Sequence, residues 1–200
     1  MSNEHAERPW SAMGARAVFL TGFMASGKTR VGRELAGRLG WKSVDLDERI
    51  AVREQQAVPE IFRERGEAGF RAAETSALAE LIESLERDSI VALGGGAFVQ
   101  EKNRELLKSW PTVFLTAPVD ELWRRCSVDE AVRPLRTSQE QFARLYDERL
   151  SIYQEATITV ETFGKGASSI CAEIEAALGL SPVKTDSVDV KCGSDTGGSW

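Results

Sequence analysis

The stretch Gly22–Thr29 reads GFMASGKT, with the apolar run Ala17-Val18-Phe19-Leu20 before it and a helix-like segment beginning near Lys28 after it. Gly22, Gly27, Lys28 and Thr29 meet the spacing GxxxxGK[ST], in the strand-then-helix context that gives this pattern its meaning. Such a loop joins a strand to a helix whose first turn faces an anion, so it constrains the fold and the ligand together. Glycines let backbone N–H groups converge on phosphate oxygens, the helix N-terminus adds partial positive charge, and Lys28 reaches the terminal phosphates. The nucleotide-contacting loop thus comprises Gly22, Ala25, Ser26, Gly27, Lys28 and Thr29, with the Thr29 hydroxyl as a magnesium ligand.

The rest of the chain repeats that strand-helix rhythm. AVFLT, KSVDL, SIVAL, TVFLT and TITVE are short β-like runs followed by polar or glycine-bearing turns and longer helix-like segments, the pattern of an α/β fold with a parallel sheet. Val31, Leu35 and Leu39 recur every four positions and make one apolar helix face. Residues 46 to 87 form a long insertion in which Ile50, Ile61, Phe62, Leu78, Leu81 and Leu85 predict several helices, broken at Gly66 and Gly69. The polar segment 127 to 138, containing Pro134, is expected to be a mobile loop. Residues 1–15 and 181–200 lack apolar periodicity and are expected to be disordered arms flanking one domain at 16–180.

Composition narrows the function classes. A formal charge of -6 supplies no overall basic field, so nucleic acid is not an expected partner. No apolar run approaches the roughly 20 residues of a membrane span, and the start MSNEHAERPWSAMGAR lacks a secretory apolar core, so a cytoplasmic protein without a membrane partner is expected. A monomer is the expected state. Cys126, Cys171 and Cys192 form no CxxC pair and read as reduced thiols. The lone histidine, His5, lies in the N-terminal arm, which leaves a carboxylate as the expected general base.

A phosphate loop alone does not say what receives the phosphate. No NKxD stretch is present for reading guanine, and the chain is short for a motor, which favours a small-molecule kinase. VDLDE places Asp45 and Asp47 two apart at a strand end, where extended backbone would put both on one face. One could organise hydrated magnesium while the other orients or deprotonates an acceptor hydroxyl. Helix capping is the competing reading of this pair. After SIVAL, the glycines Gly94, Gly95 and Gly96 read as close backbone approach to a small ligand, against a plain flexible turn.

The ordered set GFMASGKT, DLD, IFRERGEAGFR, LGGGAF, RPL and RLSIYQEA resembles the shikimate kinase family over residues 16 to 178. The resemblance implies a P-loop NTP hydrolase-like three-layer fold, a five-stranded parallel sheet with a helical substrate-binding region and a mobile lid. It also implies phosphorylation of the 3-hydroxyl of shikimate by ATP with Mg2+. Carried over by position, it makes Asp47, Arg71, Gly95, Gly96 and Arg149 shikimate contacts, with Asp47 the base and Asp45 in the magnesium network. Two arginines suit a carboxylate, which they can grip through charge-assisted bonds. Arg133 resembles a lid residue over the transferred phosphate, catalytic together with Asp47 and Lys28, and Arg125 resembles a residue flanking adenine. Ala25 departs from a position often glycine in the family, and Arg136 from the commoner RPLL. A kinase for another hydroxylated acid such as gluconate, and a nucleotide-binding regulatory module without turnover, are the competing readings.

Overall fold

The computed structural model describes residues 16–128 and 138–182. Five strands, β1 (Ala17–Thr21), β2 (Lys42–Asp45), β3 (Ser89–Ala92), β4 (Thr112–Thr116) and β5 (Ile158–Glu161), form one sheet in the order β2-β3-β1-β4-β5, with all neighbouring pairs parallel. Helices α1 (Lys28–Leu39), α2 (Leu46–Glu54), α3 (Val58–Glu83), α4 (Glu101–Leu107), α5 (Val119–Val128), α6 (Gln139–Tyr153) and α7 (Ala167–Leu178) connect and cover it.

β1 reads as an unbroken apolar run because the sheet buries both of its faces. Val18 and Leu20 point to one layer, where they join Val31, Leu35 and Leu39 of α1 and Ile170, Ile174 and Leu178 of α7. Ala17 and Phe19 point to the other, with Ile50 of α2, Ile61, Leu78 and Leu81 of α3, and Phe142 and Tyr153 of α6. Helices therefore cover both faces of the sheet, giving three layers.

The predicted insertion resolves into α2 and α3. Gly66 does interrupt α3, with φ 65 and ψ −175, a combination essentially confined to glycine. Gly69 does not: it keeps helical geometry, and only Gly66 departs from it. Phe62 and Phe70 stack across the kink with ring centroids 4.4 Å apart. KSVDL ends one residue early because Asp45 turns the chain into α2, its carboxylate accepting from the Asp47 N–H at 3.0 Å. Parallel strands send all their carboxyl ends to one edge of the sheet, and the turns that follow β1, β2, β3 and β5 bring the residues of interest to that edge.

Candidate active site

A crevice of about 650 Å³ opens along that edge, lined among others by Ala25, Ser26, Gly27, Lys28, Thr29, Asp45, Asp47, Gly95, Arg125 and Thr162. Gly22 is not among its lining residues. Gly22 has φ 145, and a Cβ there would collide with the Leu115 carbonyl and come within 2.8 Å of Ser26 Oγ, so glycine lets the loop leave β1 tightly against β4. Gly27, with φ 95, caps α1. Ala25 holds a left-handed φ of 60 without being glycine, a conformation that costs a non-glycine residue on the order of 1 kcal/mol. The Lys28 ammonium folds back across its own loop and donates to the Gly22 and Phe23 carbonyls, each at 2.9 Å.

Asp45 and Asp47 both reach the crevice, but not by the expected route. Asp47 lies in the first turn of α2 rather than in a strand, so strand alternation does not set its direction. Capping is also real here: Asp45 Oδ1 caps α2 while its Oδ2 accepts from Thr29 Oγ1 at 2.8 Å. One carboxylate thereby ties the end of β2 to the start of α1. Among the described residues, no group of three or more His, Cys, Asp or Glu side chains converges as a metal cage.

Behind Gly94–Gly96 lies a charged cluster. Arg71 donates through Nη1 to Glu74 Oε2 at 2.9 Å and through Nη2 to Glu67 Oε1 at 3.2 Å. The glycines make room for this cluster. A Cβ on Gly96 would overlap the Arg71 guanidinium, and one on Gly94 would lie 2.7 Å from Asp47 Oδ1 and 2.9 Å from Glu74 Oε1. Missing side chains at 94 and 96 thus admit protein side chains, while Gly95 alone of the three lines the crevice. Arg149 approaches from α6, with its guanidinium 6.0 Å from the centre of the Phe23 ring and its charge acting on Glu74.

Glu74 was not singled out by sequence, where a glutamate in a helical segment reads as solvated. It is fully buried, and its Oε1 has no hydrogen-bond partner among the described residues. Burial pushes its carboxyl up to about 7, the Asp47 charge adds to the rise, and Arg71 and Arg149 oppose it. A carboxyl that holds its proton more tightly folded than unfolded stabilises the fold most at low pH. That contribution is lost as pH climbs from the ordinary value of 4.5 to about 7. The melting temperature is expected to decline across that window, and Glu74→Gln to flatten this part of the profile. An unchanged slope in the variant would refute the assignment.

At the far end of the crevice, Arg125 is held by two neighbours. Its Nε donates to Glu121 Oε1 at 2.7 Å and its Nη1 to Thr162 Oγ1 at 3.2 Å, while Thr162 Oγ1 donates to the Thr116 carbonyl at 2.9 Å. Hydrogen bonds from Arg124 and Arg125 hold the Glu121 carboxyl down at about 2, so this anchor stays charged at any working pH. Thr162, a second residue missed by sequence, sits in the turn after β5, where its pattern carries no distinguishing spacing. Arg133, with Pro134 and Arg136, lies outside the described residues.

A sequence model of the family described as shikimate kinase matches residues 24–178. The chain is 42% identical over 167 residues to a shikimate kinase of Geobacter metallireducens, covering 82% of this chain and 92% of that one. It is 43% identical over 166 residues to a shikimate kinase of Bordetella avium, covering 80% and 77%. Among solved structures, the shikimate kinase of Acinetobacter baumannii in complex with shikimate superposes with a TM-score of 0.76 at 34% identity, covering 86% of this chain and 97% of that one.

Proposed function

We infer the working of this crevice from one premise: the chain belongs to the shikimate kinase family. It transfers the terminal phosphoryl group of ATP to the 3-hydroxyl of shikimate, giving shikimate 3-phosphate and ADP, a step of chorismate and aromatic amino acid biosynthesis. The observation that carries this conclusion is the family match over residues 24–178, the range in which Lys28, Asp47, Arg71 and Arg149 lie.

In the mechanism we propose, the phosphate loop and the first turn of α1 hold the ATP phosphates, with Lys28 turning from its loop carbonyls to the terminal phosphates. Arg125, steadied by Glu121 and Thr162, flanks the adenine end. Shikimate lies on the Gly95 side, its carboxylate gripped by Arg71 and Arg149 and its 3-hydroxyl facing Asp47. Asp47 orients that hydroxyl and takes its proton as the oxygen attacks phosphorus. The Thr29 hydroxyl and the Asp45 carboxylate are hard oxygen donors in contact with each other beside the phosphate loop. A pair of this kind suits Mg2+, which keeps several waters and needs few protein ligands. Its chemistry there would be neutralising charge on the terminal phosphates. Catalysis otherwise rests on positioning and electrostatic stabilisation, to which Arg133 would contribute from the lid.

We also propose a monomeric cytoplasmic enzyme that binds no nucleic acid and no membrane. The acidic charge supports the absence of a nucleic-acid partner, and three cysteines without a CxxC pair suit a reducing compartment. The deciding assay is coupled ADP release with ATP and Mg2+ in the presence of shikimate, of gluconate, or of neither. ADP release is expected with shikimate and near background otherwise. Equal release with gluconate, or none with either acid, would overturn the assignment.

A further inference from the structure

The last residue of α6, Tyr153, is fully buried, with its ring stacked on Phe114 of β4 at 5.2 Å between centroids and an interplanar angle of 19°. Its hydroxyl donates to the Gly95 carbonyl. That carbonyl belongs to the peptide joining Gly95 to Gly96, and in a planar trans peptide the C=O and N–H point to opposite sides. Anchoring the carbonyl on Tyr153, in the packed interior behind the loop, therefore turns the Gly96 N–H the other way. Gly95 lines the crevice on that side. Elsewhere in the loop, Ala97 N–H donates to the Gly94 carbonyl at 3.1 Å and Val99 N–H to the Gly96 carbonyl at 3.2 Å. The Gly96 N–H has no hydrogen-bond partner among the described residues.

Glycine is the residue most free to rotate such a peptide, and a Gly-Gly pair doubles that freedom. Without an anchor, the donor direction would be one of several. We propose that Tyr153 is a positioning residue for the acceptor: its hydroxyl locks the Gly95–Gly96 peptide so that the Gly96 N–H is presented to an acceptor oxygen, in register with the Arg149 guanidinium. The register follows from spacing, since Arg149 and Tyr153 are four apart and share one face of α6. One rigid helix thus sets a cationic contact and a backbone donor together. Burial pushes the Tyr153 hydroxyl up to about 12, opposed by Arg149 and Arg71, while Glu74 adds to the rise, so it remains a proton donor throughout the working range.

This inference rests on the shikimate kinase reading for the identity of the acceptor. Tyr153→Phe keeps the ring and its stacking on Phe114 and removes only the hydroxyl. The shikimate KM is expected to rise about tenfold, with kcat within about threefold and the ATP KM within about twofold of wild type, the scale of one lost hydrogen bond. A role confined to satisfying a buried carbonyl predicts a lower melting temperature with the shikimate KM unchanged, and that outcome overturns the proposal. So does an equal rise in both KM values. A second measurement uses the intact protein: the Gly96 amide NMR resonance should shift on saturation with shikimate. Wild-type ADP release is measured in the same preparation. Its absence would overturn the activity itself, whereas normal turnover with an unmoved Gly96 resonance would overturn only the role of Tyr153.

Discussion

Lys28→Ala is expected to leave a folded protein whose kcat on ATP and shikimate falls by about a thousandfold or more, the upper end of what removal of one charged transition-state donor costs. Lys28 opens α1, and its ammonium is half-buried against the Gly22 and Phe23 carbonyls of its own loop. Those two hydrogen bonds keep it arched over the loop, on the crevice that it lines. Alanine loses a point charge whose attraction grows as negative charge spreads over the transferring phosphoryl oxygens, and the loop sequence GFMASGKT holds no second cation to replace it. The helix itself should survive, because α1 is held by Val31, Leu35 and Leu39 rather than by its first residue. Circular dichroism and melting near wild type, with single-turnover rates far below it, would establish the result. Turnover within about tenfold of wild type would remove Lys28 from the reaction.

The second large effect is expected at Asp47. Asp47→Asn preserves size and leaves the N–H that Asp45 caps, so α2 should start as before. What disappears is the negative charge that can take a proton, and the expected loss in kcat is about a hundredfold to ten-thousandfold. ATP binding should persist, because the Thr29 and Asp45 pair is untouched. Calorimetry separates the two roles open to this carboxylate: retained ATP affinity with lost kcat marks it as the base. Loss of ATP binding would reassign it to metal organisation.

Most of the scaffold is legible in the sequence for physical reasons. β1 and β4 bury both faces, so they appear as the unbroken runs AVFLT and TVFLT. α1 buries one face and so shows a helical period at Val31, Leu35 and Leu39. The phosphate loop is legible because three constraints, strand, glycines and helix start, fall within eight consecutive residues. The acceptor side was legible mainly through family resemblance. Its parts come from α2, α3, the turn after β3 and α6, and only the sheet order brings them together. Glu74 shows the difficulty most plainly: it is buried, and the charges that act on it come from Arg71 three residues before it and from Arg149 on a distant helix, neither of which marks it as unusual in the local sequence. The aspartate pair shows a different limit. Two residues apart predicts a common direction in a strand, yet Asp45 ends the strand and Asp47 lies in the first turn of the helix, so they share the crevice through a cap.

The fit between the glycine turn and the charged cluster behind it bears on how this enzyme can change over generations. Any side chain at position 96 would take the volume that the Arg71 guanidinium occupies, and any at 94 would take that of the Asp47 and Glu74 carboxylates. These positions are therefore not independent letters. A larger residue in the turn becomes acceptable only once the facing ion has been shortened or redirected, and each intermediate holds either a clash or an unbalanced buried charge. Paths to a new acceptor specificity through this wall require coordinated double changes. The exposed positions elsewhere on the same helices, such as Val52, carry no such restriction and can drift one substitution at a time.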